Sequence, residues 1–205
     1  MYNFYDIYKK RFKILILISF LIVFYIVIIN KNKEHFKIIT PQCVYGAMTS
    51  ASNILIVNVL SEKMPIFIGL NKFDSRSISK NEFENIIEKN NGRIPKNIDL
   101  VILMCAGWSC GAAEGYFHEL SQRGINTKNV VDYAGGIHEW CLYSKMNNSI
   151  FKVFNVNNIE LSENELNEIL RGTAHSYKNN TLIESEPGLY TNYCKLGNDL
   201  PNLIV

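Results

Sequence analysis

Apolar residues fall into a few unbroken runs separated by polar stretches rich in Asn, Lys and Glu, and the length and flanks of each run assign it. The first run, residues 14–29 (ILILISFLIVFYIVII), carries no charge and is apolar on every face. It therefore lacks the polar stripe of a helix packed on a soluble core. With Asn30 it is predicted as a transmembrane helix over 14–30. It is short for a hydrocarbon core of about 30 Å, but snorkelling by Lys13 and Lys31 extends it. Asn30, Lys31, Asn32 and Lys33 follow where a cleaved signal peptide would need small residues, so the segment reads as an anchor. Residues 1–13 are a short tail and 31–37 a polar linker.

The later runs are shorter and β-branched. Residues 53–60 (NILIVNVL) and 99–104 (DLVILM) suit strands buried on both faces of a parallel sheet. Residues 129–133 (NVVDY) are a third strand, and 66–69 (IFIG) a weaker one. Between them the period changes to that of helices. Ser79 with Glu82 forms a capping box ahead of Phe83, Ile86 and Ile87, and that helix ends near Gly92. Residues 112–123 place Tyr116, Phe117 and Leu120 on one face and stop at Gly124, and a short helix follows Gly135-Gly136 through Trp140. Strands alternating with helices over short links require a mostly parallel sheet covered by helices on both faces, so residues 38–150 are predicted as one α/β domain. From Phe151 the pattern weakens to one capped helix, opened by Ser162 and Glu165, and a polar tail. Residues 151–205 are expected as an extension on the domain surface.

Charge changes the picture little. A formal net charge of +2 and a pI of about 8.2, with no basic stripe, exclude nucleic acid as a main partner. Five cysteines (Cys43, Cys105, Cys110, Cys141, Cys194) are a poor disulfide framework, and no pair has the spacing of a structural zinc site. No metal or cofactor is expected. Cys43, Cys141 and Cys194 have no evident partner, and His118 and His138 lack Cys or carboxylate partners at ligand spacing.

Cys105 and Cys110 stand apart, because Cys105-Ala-Gly-Trp-Ser-Cys-Gly111 follows a buried strand directly and feeds a helix. Ligands of such sheets bind beyond the carboxyl ends of the strands. A tight loop of small residues turns its backbone N–H groups inward, and the next helix adds the positive end of its dipole. A thiol held there is more acidic than a free one. Cys105 is thus the candidate nucleophile, Ala106, Gly107, Trp108, Ser109, Cys110 and Gly111 its anion cradle, and Cys110 a candidate resolving thiol. Trp108 either gates the loop or covers the sheet edge; Trp140 reads as core.

Val101–Ala113 (VILMCAGWSCGAA) resembles the active-site loop of the rhodanese-like domains, which include thiosulfate sulfurtransferases. Residues 129–140 (NVVDYAGGIHEW) resemble that family's closing pattern of strand, Gly-Gly and short helix to Trp, and residues 54–60 stand where its first core strand does. The resemblance spans about residues 38–143. It implies a rhodanese-like parallel sheet and a Cys105 that accepts sulfane sulfur as a persulfide from a small donor and passes it to a thiol acceptor. Two features depart from the family: Asn58-Val59-Leu60 replaces the usual Asp-Val-Arg, and Cys110 stands where active members often carry Arg. Three functions therefore compete: a membrane-anchored persulfide carrier or sulfurtransferase through Cys105, a Cys105/Cys110 dithiol redox protein, and an inactive rhodanese-fold binding module. Positive charges flanking the span lean slightly toward a C-terminal domain outside the cytoplasm, whereas a reactive thiolate fits a reducing face.

The anchor is directly testable: the full-length protein should stay in the pellet on alkaline carbonate extraction, and a form beginning near Lys37 should be soluble. Full-length protein in the carbonate supernatant would remove the anchor.

Overall fold

Continuous β-branched runs can satisfy their backbone only in the middle of a sheet, and there the sequence puts them. In a computed structural model, which describes residues 18–19, 37–50, 53–148 and 150–174, five strands form one parallel sheet in the order β1-β7-β6-β2-β5. They are β1 (Lys37–Ile39), β2 (Ile54–Asn58), β5 (Ser77–Ser79), β6 (Leu100–Met104) and β7 (Val130–Tyr133). All five residues of β6 are buried. The predicted transmembrane segment 14–30 lies outside the described residues apart from Ile18 and Ser19; among the described residues no helix is long and apolar enough to cross a membrane.

Helices cover both faces. On one, α1 (Pro41–Thr49), α4 (Gly136–Met146) and α5 (Glu163–Thr173) pack over Ile56, Ile102 and Val131. On the other, α2 (Lys80–Lys89) and α3 (Ala112–Gln122) cover Val57, Val101, Leu103 and Val130. The two capping boxes form as the sequence predicts: Ser79 and Glu82 open α2, and Ser162 and Glu165 open α5. The architecture is α/β with a mostly parallel central sheet flanked by helices, consistent with a rhodanese-like fold.

The weaker strand expected at 66–69 forms, outside the parallel sheet: β3 (Ile66–Leu70) lies between β4 (Lys72–Phe73) and β8 (Phe151–Asn155) in a small antiparallel sheet. One expectation changes: the segment from Phe151 is not an appendage. Phe151, Val153 and Leu166 belong to the main core. The Trp140 ring stands edge-on to Phe151 at 5.2 Å, and its Nε1 donates to the Lys152 carbonyl at 3.1 Å. Trp140 is core, as the sequence implies, but its partner is the strand that was expected outside the domain.

Asn58 is fully buried at the end of β2. Its Nδ2 donates to the carbonyls of Met64 (2.7 Å) and Ile66 (2.8 Å), and its Oδ1 accepts from the Leu60 N–H (2.9 Å). This amide braces the connection from β2 to β3, and an ionised carboxylate could not donate to those two carbonyls. Asn58 is therefore an architectural part. Asn58→Ala should lower stability by about 2–4 kcal/mol, read as a lower urea midpoint at unchanged slope. Asn58→Asp should be destabilised most at neutral pH and recover as pH falls and its buried carboxyl, raised by burial, becomes protonated.

Candidate active site

The chain leaves the sheet at Cys105, and the start of α4 fixes where it goes. Ile137 N–H donates to the Cys105 carbonyl and His138 N–H to the Ala106 carbonyl, both at 2.9 Å. Such contact requires the two backbones to touch. Gly136 has φ +56°, and a Cβ there would lie 2.3 Å from the Cys105 oxygen and 3.0 Å from the Gly107 nitrogen. Only glycine fits that conformation and that space. Beyond this clamp the loop turns on a Cys110 N–H to Gly107 carbonyl bond of 2.9 Å, and α3 begins at Ala112 with Gly111 as its N-cap.

Helix α3 starts two residues after Cys110, so Cys110 is a loop residue and does not point away from the nest as a first helical residue would. Cys105 is only 1 % exposed; its Sγ donates to the Cys110 carbonyl at 3.2 Å, and the two thiols interact closely enough to shift each other's ionisation in opposite directions. Cys110 is half-buried and reachable from solvent.

The two thiols divide the work of ionisation unequally. The side-chain interaction with Cys110, burial, and the negative charges at Cys110 and Asp132 push the Cys105 thiol well above the ordinary range, against a smaller lowering by the Gly107 backbone N–H. The same interaction with Cys105 pulls the Cys110 thiol down against its own burial, helped by the backbone N–H groups of Ala112, Ala106 and Gly107. The N-terminus of α3 adds its dipole beside this sulfur. Of the cradle expected around Cys105, the Gly107 N–H acts on both thiols, while the Ala106 N–H, with that of Ala112 at the helix start, acts on Cys110. Among the described residues, no such donor role is seen at Trp108 or Gly111. Trp108 is half-buried over the loop, with an Nε1 that finds no acceptor among the described residues.

Asp132 is the site residue that sequence reasoning missed. It lies in β7 opposite Leu103 of β6, on the sheet face that also carries Val130, Leu103 and Cys105. The signal was an acid inside a run otherwise apolar (NVVDY). The other candidates lie elsewhere. His138 is buried, its Nδ1 2.7 Å from the Thr173 hydroxyl, and His118 is exposed, 3.7 Å from Glu114. Cys141 is fully buried, and burial pushes its thiol up to about 12. Cys43, for which no partner was evident in the sequence, is disulfide-bonded. Cys194 lies outside the described residues. Among the described residues no group of three or more His, Cys, Asp or Glu could hold a metal ion.

No protein-family model, curated protein or solved structure matches the chain.

Because alkylation follows thiolate fraction and access together, limiting iodoacetamide at about pH 6.5 should label Cys110 ahead of Cys105 and Cys141. Peptide mapping after partial reaction reads the order; Cys105 labelled first would reverse the assignment.

Proposed function

We propose that this chain is a membrane-tethered, rhodanese-like thiol protein whose Cys105–Cys110 pair works as a dithiol, exchanging with the sulfur–sulfur bond of a small or peptide disulfide. The observation that carries the reading is the bond from the Cys105 Sγ to the Cys110 carbonyl at 3.2 Å, which holds the two thiols close enough to act on each other. One sulfur is acidic and accessible, the other buried and protonated, which is the asymmetry a two-step exchange uses. Cys110 thiolate attacks one sulfur of RS–SR′, giving Cys110–S–S–R and R′S⁻. Cys105 then loses its proton and attacks the Cys110 sulfur, giving the internal disulfide and RS⁻. Two electrons pass from the dithiol to the substrate, and the reverse sequence oxidises a substrate dithiol.

The charged groups that act on the pair and on Asp132 beside it are acidic, including Glu114 in the first turn of α3. An anionic donor such as thiosulfate is disfavoured there, because no guanidinium replaces the Arg that active relatives carry. Uncharged or cationic disulfides fit better. The disulfide at Cys43 and the weak charge bias across residues 14–30 both favour an oxidising compartment for the domain, with the lipid bilayer as its anchor partner.

A second reading, persulfide carriage, is favoured by the loop's resemblance to rhodanese-like domains and by the position of Cys105 at the end of a central strand. The two readings part after one equivalent of polysulfide. Acting as a dithiol, the wild type should collapse to an internal disulfide and release hydrosulfide, with a mass loss of two hydrogens. Cys105→Ser should instead retain one added sulfur on Cys110. A wild type that holds the added sulfur as stably as Cys105→Ser would favour carriage by a single thiol and overturn the dithiol reading.

A further inference from the structure

Two-step exchange needs a group to take the proton of Cys105, the less acidic thiol and the more deeply enclosed. Bulk solvent reaches it poorly, since the residue is 1 % exposed. Asp132 is 9 % exposed, and its Oδ1 is buried with no hydrogen-bond partner among the described residues. A carboxylate kept inside a protein without a partner is costly, and its presence asks for a use. Register supplies the direction. Asp132 pairs with Leu103, and side chains two apart on a strand share a face, so Asp132 and Cys105 lie on the same side of the sheet beneath the start of α3.

We propose that Asp132 is the proton acceptor for Cys105 during closure of the internal disulfide, and the donor that returns the proton when the disulfide is reduced; this rests on the dithiol reading. In closure, the Asp132 carboxylate takes the Cys105 proton, the Cys105 sulfur bonds to the Cys110 sulfur, and RS⁻ leaves. The carboxylic acid then releases its proton to RS⁻ or to water. No electron passes through Asp132. The ionisable groups facing it are Cys105 and Cys110 from the loop and Glu114 from α3; its other strand neighbour, Ile38 of β1, carries none. Burial, then the negative charge at Cys110 and Glu114, hold its carboxyl up at about 7. That places its proton affinity where a group exchanging protons with a thiol near neutrality needs it. The charge at Cys110 also disappears when the disulfide forms, so Asp132 should lose its proton more readily in the oxidised protein.

The test uses the full-length protein in detergent, with Cys110 loaded as a mixed disulfide with cysteamine and closure followed by release of the amine thiol. Asp132→Asn should form the mixed disulfide within about twofold of wild type, yet close about a hundredfold more slowly near neutral pH. Its closure rate should lose the inflection that the wild type has below pH 7, where Asp132 titrates once Cys110 no longer carries charge, and Asp132→Glu should restore part of the rate and the inflection. Closure at the wild-type rate in Asp132→Asn, or an inflection that persists there, would overturn the proposal while leaving the dithiol reading intact. A wild type that never closes would overturn both. Difference infrared spectra of the wild type are independent of whether the variant folds: at about pH 7, oxidation of the dithiol should diminish a protonated-carboxyl band, and an unchanged carboxyl region would count against Asp132.

Discussion

Backbone contact between the end of β6 and the start of α4 determines the path of the thiol loop and, through it, the chemistry of both sulfurs. The Cys105 carbonyl accepts from Ile137 N–H, and Gly136 presses against that same carbonyl with no room for a side chain. Because β6 and β7 are neighbours in register, the two strand ends arrive together, and the clamp locks the departing loop to the arriving helix. The loop can then turn only upward and over, toward the N-terminus of α3. Its N–H groups point inward because the carbonyls of Cys105 and Ala106 are already committed outward to α4.

Electrostatics at the loop are built from the backbone, without a guanidinium. Backbone N–H groups and a helix end favour sulfur anion at Cys110, the more exposed of the two thiols, over the buried Cys105. Cys110 carries no positive charge, so the negative charge of Asp132 and Glu114 acts on the loop with no cation from within it to oppose it.

Much of the architecture was legible in the sequence because strong local signals agreed with it. Buried strands at 54–58, 100–104 and 130–133 announced themselves as β-branched runs, and both capping boxes closed as written. What escaped was decided at long range. β3 has too little pattern to reveal that its partner is β8, and the polar Lys152 hides between Phe151 and Val153 the alternation of a half-buried strand. At the site, Cys105 and Cys110 were recognisable as a pair, but which sulfur the donors would serve depended on the helix starting at Ala112 and not at Cys110. Asp132 was visible only as an acid in the wrong company, since no short motif points to it.

The pairing of β3 with β8 also bears on how the molecule comes to be made. As the chain is synthesised, β3 emerges early but its central place in the small sheet is filled only when residues 151–155 emerge, after the whole parallel sheet has been specified. Until then one edge of β3 is open, and the Trp140 indole waits for the Lys152 carbonyl. Such non-local pairing is slow and leaves an adhesive strand edge in the interval. During that interval a second copy of the chain could pair with the open edge of β3, so β8 completes the fold and also closes off an association site.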